Sequence, residues 1–346
     1  MTKKRNKKKL RIALIFGGTS PERVVSLRSG LTVAGYLNSQ KYEIVPIEIS
    51  KEGSWLTSSA TISKIRKKIK TKKIKSINEV ISLRAQKQKR IDAALLILHG
   101  PGGEDGTVQG MLELLGIPYT CSGVLASALA MDKARTKRIL ATMGVPVLPD
   151  LLIPRSEYKK NPRQYLKQIQ GRVVVKPNRL GSSLGVTIAF GPQSVKKAVE
   201  LALRHDDEVL VEPYAAGREL TVPVLGNQEP RALPAIEILP WKKSAFYDYA
   251  AKYEKGGSKH LIPAPLSRKQ EQEIQILALK VHRTLGCKGV TRSDFILDKT
   301  GRFYFLEINT IPGMTPTSLV PQSAEAAGIT FEQLLDHLIT LALKRD

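Results

Sequence analysis

The chain has 346 residues, enough for two or three domains with sizeable cores. Its 42% hydrophobic and 25% charged residues are typical of a soluble globular protein. Two cysteines, Cys121 and Cys287, lack metal-ligand spacing and fit a reducing cytosol, so we expect a cytoplasmic location. No apolar run approaches the ~18 residues of a membrane span. The apolar stretch after the basic start is too short for a signal peptide, so we expect neither feature.

Most of the net charge of +24 comes from two short segments. Residues 1–11 contain seven Lys or Arg and no acid, and residues 64–90 contain twelve Lys or Arg and one acid. Such segments could attract RNA or an anionic membrane surface. Neither contains the interleaved aromatic residues of a base-stacking surface. We therefore favour solvated segments and keep a nucleic-acid-associated binding protein as an alternative.

The first 120 residues alternate strands with helices. We predict strands at 11–16, 42–50 and 92–100 and helices at 21–39 and 106–116. This order predicts a parallel, doubly wound sheet, which binds ligands beyond the carboxyl ends of its strands. The first and third of these strands end in the glycine-rich loops "GGTSPER" and "HGPGGEDG". Neither loop matches the dinucleotide-binding or the Walker motif.

The remaining residues divide less clearly. We predict a helical stretch over 122–144, two strands joined by a glycine-serine loop over 172–189, strands at 208–214, 219–226 and 234–240, and a helix over 268–286. We place domain boundaries near 120 and 220, which gives an N-terminal domain (1–120), a central domain (121–220) and a C-terminal domain (221–346).

The segment "RSDFILDKTGRFYFLEIN" predicts a β-hairpin whose turn is "DKTG". In a symmetric hairpin Asp294 and Glu307 lie opposite one another, and Asn309 shares their face. Two carboxylates and an amide oxygen form a hard-oxygen site that suits Mg²⁺ beside nucleotide phosphates. An ordinary solvated hairpin face is the alternative.

Three other stretches carry groups suited to a nucleotide or an anion. Lys176 ends an apolar strand before the loop "GSSLG", whose serines and backbone N–H groups could close over phosphates. Glu212 ends the strand "EVLVEP", where a ribose or an adenine amino group could use it. The helix start at Thr317–Ser318 could bind a carboxylate. A hairpin turn, a solvated strand end and ordinary helix capping are the alternatives.

In this order, these pieces resemble the D-alanine–D-alanine ligases of the ATP-grasp superfamily. The resemblance is carried by "FGGTSPERVVSLRSG", "HGPGGEDGTVQGMLELLGIPYTCSGVLASALAMDK", "KPNRLGSSLGV", "FYDYAAKY", "RSDF" and "LEINTIPGMTPTSLVPQ". It implies three α/β domains, with a Rossmann-like parallel sheet in the first and ATP held between the other two. It also implies ligation of two D-alanines through a D-alanyl phosphate for peptidoglycan precursors, with two Mg²⁺ or Mn²⁺ ions. A homodimer with no membrane partner is expected.

The resemblance also implies roles for individual residues. It assigns the ammonium of the first D-alanine to Glu22, lid closure to Ser182 and Tyr253, and the oxyanion hole to Arg292 and the Gly313 N–H. Substrate carboxylates are assigned to His99, Ser318 and Leu319, and Mg²⁺ to Asp294, Glu307 and Asn309. Contacts with ATP are assigned to Lys133, Lys176 and Lys252 at the phosphates, Glu212 at the adenine and Glu219 at the ribose.

The sequence departs from the family pattern at Val24, Leu180 and Ala250, none of which has an assigned role. Tyr253 favours D-alanine as the second substrate, because relatives that use D-lactate lack this tyrosine and place a histidine in the lid. His260 is close enough in sequence to keep D-lactate or D-serine as an alternative second substrate.

Overall fold

The computed structural model describes residues 9–56, 90–240 and 258–344. Lys252 and Tyr253 lie outside these ranges, as do most residues of the two basic segments. Within the described ranges, no helix is both long enough and apolar enough to cross a membrane.

In the described residues, the N-terminal sheet has four strands. They are Leu10–Gly17 (β1), Tyr42–Ile49 (β2), Trp55–Leu56 (β3) and Ala93–Leu98 (β4), with helices Arg23–Tyr36 (α1) and Thr107–Leu114 (α2). β1 pairs in parallel with β2 and β4, and β3 pairs antiparallel with β2 at one edge. The predicted parallel, doubly wound sheet is confirmed.

Alternate residues of β1 enter two different hydrophobic cores, which explains why the strand is apolar along its whole length. Ile12, Leu14 and Phe16 pack with Val33 of α1, whereas Ile15 packs on the opposite face in the core that contains α2. Glycine-rich loops follow β1 and β4 at the same edge of the sheet, where ligands bind in folds of this type.

Helices Val124–Met131 (α3) and Lys133–Thr142 (α4) replace the single helical stretch predicted over 122–144. The break is at Asp132, whose backbone is extended (φ −88°, ψ 94°). The Asp132 carboxylate accepts hydrogen bonds from Arg135 N and from Asn178 Nδ2, each at 3.0 Å. The first bond caps α4, so the break is specified by an N-cap residue in mid-segment.

The central sheet is antiparallel and has the order β5-β8-β6-β7. Its strands are Leu151–Pro154 (β5), Arg172–Pro177 (β6), Thr187–Phe190 (β7) and Glu208–Pro213 (β8), and its helices are Arg155–Lys160 (α5), Pro162–Leu166 (α6) and Pro192–Ala202 (α7). The strand–loop–strand arrangement predicted over 172–189 is confirmed, with the glycine-serine loop between β6 and β7.

The third sheet is antiparallel, with the order β12-β11-β9-β13-β14 and β10 paired to β9. Its strands are Gly217–Leu225 (β9), Arg231–Ala232 (β10), Ile236–Pro240 (β11), Ser258–Leu261 (β12), Val290–Asp298 (β13) and Phe303–Asn309 (β14). Helix Arg268–Thr284 (α8) begins at a capping box formed by Ser267 and Gln270. The division of the chain near 120 and 220 stays a prediction.

The helices after the hairpin join the C-terminal part of the chain to its start. They are Leu319–Ala326 (α9) and Phe331–Leu343 (α10). Leu334 and Leu338 of α10 pack in the same core as Ile12 of β1. The N-terminal sheet and the loop before α9 are thereby held close together, which sets two walls of the site described next.

Candidate active site

Two cavities adjoin strand β13. The larger, of about 560 Å³, lies between the loops of the N-terminal sheet and the segment between β14 and α9. The smaller, of about 330 Å³, lies between the central and third sheets. Arg292 lines the larger cavity and Asp294 lines the smaller one, although both belong to one face of β13.

Apolar side chains from two sheets form the walls of the smaller cavity. Val174 and Ile188 contribute from the central sheet, and Leu239, Ile296 and Leu306 contribute from the third sheet. Charged groups also line the same cavity, among them Lys133, Lys176, Glu212, Glu219, Asp294 and Glu307. An apolar slot with a few convergent charged groups suits a flat heterocycle that carries anionic substituents.

A buried ionic cluster lies beside this slot. The Glu212 carboxylate is 2% exposed and accepts from Lys137 Nζ at Oε1, and its Oε2 lies 2.6 Å from Lys176 Nζ. Lys137 Nζ also lies 2.9 Å from Asp150 Oδ2. Burial by itself would raise the pKa of Glu212, but Lys176 and Lys137 outweigh it and lower the pKa below its usual value. Glu212 is therefore an ionised acceptor.

Lys133 connects the glycine-serine loop to the hairpin. It is the first residue of α4, directly after the break at Asp132, and its side chain is buried. Its ammonium donates to Leu180 O at 2.7 Å and lies 3.3 Å from Glu307 Oε2. Its cationic group is therefore next to a carboxylate of the hairpin.

The hairpin has the predicted pairing at its carboxylates but is not symmetric. Asp294 lies opposite Glu307, as predicted, and Arg292 lies opposite Asn309. Towards the turn the register shifts, so that Phe295 pairs with Phe305 and Leu306 is the extra residue of a β-bulge. The bulge allows two consecutive residues, Leu306 and Glu307, to line the smaller cavity.

The oxygen ligands that the hairpin provides fit a hard divalent cation. Asp294 is held by Arg292, whose Nε and Nη2 lie 2.9 and 2.8 Å from its two oxygens, and by Thr221 Oγ1 at 2.5 Å. Asn309 Nδ2 lies 3.5 Å from Asp294 Oδ2. The described residues contain no group of three His, Cys, Asp or Glu that could hold a metal. Two carboxylates and an amide match Mg²⁺, which completes its shell with water and phosphate.

One wall of the larger cavity joins the N-terminal sheet to the glycine-serine loop. Glu22, directly before α1, is 5% exposed and accepts a hydrogen bond from Ser182 Oγ. Ser182 and Ser183 both have left-handed backbones (φ 54° and 56°), an unfavourable conformation for residues other than glycine. Ser182 lines the larger cavity and Ser183 the smaller one. This loop therefore contributes to both.

His99 and Glu104 also line the larger cavity, on the same side as Glu22. His99 Nδ1 lies 2.9 Å from Ile311 O, which can only accept, so Nδ1 carries the proton. Burial lowers the pKa of His99, and the Glu22 carboxylate and the Ile311 carbonyl oppose this only in part. In the neutral ring Nε2 is an acceptor, and it has no hydrogen-bond partner among the described residues. Contact with a carboxylate therefore requires His99 to be protonated.

Glu104 is a functional candidate that the sequence did not reveal. Its carboxyl accepts from Gly100 N at 2.8 Å and from Ile311 N at 3.1 Å. Burial, followed by the Glu22 carboxylate, raises the pKa of Glu104 to about 8. A partly protonated carboxyl therefore lies in the cavity wall beside Glu22 and His99.

The opposite wall is the segment before α9. Ser318 is the N-cap residue of α9, and its Oγ accepts from Thr315 N at 3.1 Å instead of capping the helix. A Cβ at Gly313 would lie 3.2 Å from Ser318 Oγ, so a side chain there would crowd the hydroxyl. Ser318 and Leu319 thus present a hydroxyl and a helix N-terminus to the cavity, a combination that binds anions.

Comparison with known proteins agrees with this geometry. Residues 11–122 match the family model described as "D-ala D-ala ligase N-terminus", and residues 139–340 match "D-ala D-ala ligase C-terminus". The chain belongs to the D-alanine–D-alanine ligase family. A D-alanine–D-alanine ligase of Desulforudis audaxviator is 43% identical over 336 residues, covering 97% of this chain and 99% of the relative. One of Pelotomaculum thermopropionicum is 41% identical over 340 residues and covers 97% of each.

Solved structures of ligases have the same fold. The VanG D-Ala:D-Ser ligase from Enterococcus faecalis is 34% identical, with a TM-score of 0.83, covering 97% of this chain and 100% of the other. The D-alanine–D-alanine ligase from Coxiella burnetii is 29% identical, with a TM-score of 0.78 and coverage of 97% and 96%. The predicted ATP-grasp architecture is confirmed.

Every described residue to which the ligase resemblance assigned a role lies at one of the two cavities. The larger is lined by Glu22, His99, Ser182, Arg292, Asn309, Gly313, Ser318 and Leu319, and the smaller by Lys133, Lys176, Glu212, Glu219, Asp294 and Glu307. Lys252 and Tyr253 fall outside the described residues. The individual roles stay predictions.

Sequence reasoning missed Lys137 as well as Glu104. One signal for Lys137 was available, because it lies four residues after Lys133 and therefore on the same face of α4. For Glu104 the loop "HGPGGEDG" gave no comparable signal, since its burial depends on contacts with residue 311.

Proposed function

We propose that this protein uses ATP to join two D-alanines into D-alanyl-D-alanine for peptidoglycan precursors. The observation that carries the proposal is the pair of cavities that meet at β13, with Arg292 on one side and Asp294 on the other. The larger cavity would hold the amino acids and the smaller one ATP, so that the γ-phosphate faces the carboxylate of the first D-alanine.

ATP would bind with its adenine between the apolar walls of the smaller cavity. Glu212 would accept from the exocyclic amine, and Glu219 would accept from the ribose hydroxyls. Lys133 and Lys176 would contact the phosphates, with Lys252 near the γ-phosphate. Asp294, Glu307 and Asn309 would hold two Mg²⁺ ions, or Mn²⁺, which neutralise charge on the transferring phosphoryl group.

The first D-alanine would bind through its ammonium to Glu22, with its carboxylate near His99. A carboxylate oxygen attacks the γ-phosphorus, the bond to the β-phosphate oxygen breaks, and ADP leaves. The product is D-alanyl phosphate, an acyl group activated for attack by an amine. Lys133 and Lys176 stabilise the negative charge that develops on the phosphates during this transfer.

The second D-alanine would bind with its carboxylate at Ser318 and the Leu319 N–H. Its neutral amine attacks the acyl carbon and forms a tetrahedral oxyanion. This intermediate collapses to the dipeptide as the acyl C–O bond to phosphate breaks, and the released inorganic phosphate takes up the proton that the amine loses. Arg292 and the Gly313 N–H would stabilise this oxyanion, a contribution of ~3 kcal/mol per donor. The bidentate contact with Asp294 fixes the plane of the Arg292 guanidinium before substrate binds.

Water must be kept from the acyl phosphate, because hydrolysis would waste ATP. Support for a closing loop comes from Ser182 and Ser183, which line different cavities, and from the hydrogen bond that Ser182 donates to Glu22. Tyr253 would complete this lid. We further propose that the enzyme works in the cytoplasm as a homodimer.

D-alanine is proposed as the second substrate in preference to D-lactate or D-serine, since relatives that are 41% and 43% identical over 97% of this chain are named D-alanine–D-alanine ligases. Phosphate release from ATP should be measured with D-alanine alone and with D-alanine plus D-lactate or D-serine, and products should be identified by mass. We expect one D-alanyl-D-alanine per phosphate with D-alanine alone. A product that requires D-lactate or D-serine would contradict the substrate assignment, and no product in any mixture from folded protein would contradict the ligase.

A further inference from the structure

Lys137 is a buried cation without access to either cavity. Its side chain is 1% exposed, and it lines neither the larger nor the smaller cavity. Removing an ammonium from water is costly unless well-placed anions compensate it. Glu212 and Asp150 provide those anions. Lys137 therefore acts on a ligand only through its partners, and Glu212 is the partner that lines the smaller cavity.

Each oxygen of the Glu212 carboxylate contacts a different lysine, and only one of these lysines lines the smaller cavity. Oε1 accepts from Lys137, which is enclosed, and Oε2 lies 2.6 Å from Lys176, which lines the cavity. If ATP binds in this cavity as proposed, its phosphates compete with Glu212 for the Lys176 ammonium. Lys137 cannot reach the phosphates, so it remains the fixed counter-ion of Glu212 when the nucleotide is bound.

We propose that Lys137 is a positioning residue that determines nucleotide specificity by holding Glu212 as an oriented, ionised acceptor. An ionised carboxylate accepts from the 6-amino group of adenine but has no proton to donate to the 6-oxo group of hypoxanthine or guanine. The contact with Lys137 thus favours ATP over ITP and GTP. The inference rests on the proposed binding of ATP in the smaller cavity.

The environment of Glu212 agrees with this role. Burial would raise the pKa of the carboxyl, and Lys176 and Lys137 together lower it. Without Lys137, recruitment of Lys176 by phosphates would leave a buried carboxylate with no close cation. Such a group takes up a proton and becomes a donor, which a 6-oxo purine can use. Asp150 provides a second negative charge, so Lys137, Lys176, Glu212 and Asp150 together carry no net charge.

The test compares Lys137→Met, Glu212→Gln and the double variant with the unchanged protein. Lys137→Met keeps most of the side-chain length and removes the charge. Arg135→Met is the matched control, because Arg135 is on the same helix but pairs with Asp132 and Glu208, which line neither cavity. The measurements are kcat and KM with ATP and with ITP at saturating D-alanine, and calorimetric Kd values for ADP and IDP.

We expect Lys137→Met to raise the KM for ATP about tenfold, with kcat within about threefold, and to lower the preference for ATP over ITP by a similar factor. In the Glu212→Gln background the same change should alter neither value by more than about twofold, because Lys137 has no carboxylate left to act on. Arg135→Met should behave as the unchanged protein.

Three results would overturn the inference: equal effects of Lys137→Met in both backgrounds, an unaltered preference for ATP over ITP, or a fall in kcat alone. If Lys137→Met alone does not fold, comparing the double variant with Glu212→Gln still tests the inference, since the double variant leaves no unpaired carboxylate at residue 212. Failure of the unchanged protein to bind ADP would instead contradict the proposed function.

Discussion

At the scale of single residues, the chemistry depends on neighbouring side chains that serve different cavities. Arg292 and Asp294 are two residues apart on one strand and contact each other through two hydrogen bonds. Ser182 and Ser183 are also adjacent, and Ser182 lines the larger cavity whereas Ser183 lines the smaller one. The groups proposed to activate the acyl donor and to stabilise the oxyanion are therefore in direct contact, and changing one affects the other.

Arg292→Ala should lower kcat about 100-fold or more, because it removes a donor to the oxyanion, and should change the Kd for ADP less than about threefold. Steady-state kinetics and calorimetry give the two values. Arg302→Ala, at the hairpin turn and stacked on Tyr304, is the control and should retain normal turnover. Near-normal turnover in Arg292→Ala would refute its assignment to the oxyanion.

Glu307→Gln should raise the Mg²⁺ concentration for half-maximal rate about tenfold, because an amide replaces one of two anionic ligands. Titration of the rate with Mg²⁺ at fixed ATP measures this. Glu157→Gln, on an exposed pair with Lys160, serves as the control. An unaltered titration in Glu307→Gln would remove Glu307 from the metal site.

At the scale of elements, two local irregularities place the site residues. The break at Asp132 starts α4 at Lys133, and the bulge at Leu306 places both Leu306 and Glu307 in the smaller cavity. In a continuous helix or a regular hairpin, these side chains would have different directions. Irregular backbone is thus concentrated where the site is formed.

Asp132→Ala should reduce the free energy of unfolding by about 1 kcal/mol and raise the KM for ATP, since it removes the cap of α4 and the bond from Asn178. Asp132→Asn keeps an oxygen that can cap the helix and should lose less stability. Urea unfolding at pH 7 with both variants is the measurement. Equal losses in the two variants would show that the cap is not what stabilises the start of α4.

The contribution of Asp132 to the free energy of unfolding should depend on pH. Burial would raise the pKa of Asp132, but the Arg135 N–H, the Asn178 amide and the Arg135 guanidinium together lower it below its usual value. A carboxyl with a lowered pKa in the folded state stabilises that state above its unfolded pKa. This contribution disappears as the pH falls through the folded pKa, so the difference between Asp132→Ala and the unchanged protein should shrink in acid.

At the scale of the whole molecule, the site exists only because three sheets meet. The N-terminal sheet supplies Glu22 and His99 through loops at the carboxyl ends of its strands, and the other two sheets enclose the smaller cavity. The described residues next to or at the end of the basic segment 64–90 are not part of this site. Leu56, the last described residue before the segment, and Arg90, the described residue at its end, line neither cavity.

Replacing the Lys and Arg residues of 64–90 by Gln should therefore leave kcat and the KM for ATP within about twofold. Gel-shift titration with RNA at two salt concentrations tests the alternative of a nucleic-acid-associated protein. Tight binding that falls steeply with salt and is abolished by the replacement would support that alternative. Loss of ligation in the replaced protein would show that the segment takes part in catalysis.

The sequence by itself determined the parallel N-terminal sheet, the strand–loop–strand with its serines, and the pairing of Asp294 with Glu307. These depend on local patterns, namely apolar runs, alternation and turn residues, which the chain carries wherever the rest of it lies. The family motifs added the positions of the assigned site residues.

Only the tertiary structure decided which charges are buried together. Lys137, Asp150 and Glu104 owe their environments to contacts over long sequence separations: Lys137 with Glu212, and Glu104 with the backbone of Ile311. No local pattern encodes such contacts, because burial and electrostatic pairing depend on how the sheets pack against one another. The second contact of the Asp132 carboxylate, with Asn178 after strand β6, likewise depends on how the chain folds, whereas its cap of α4 is local.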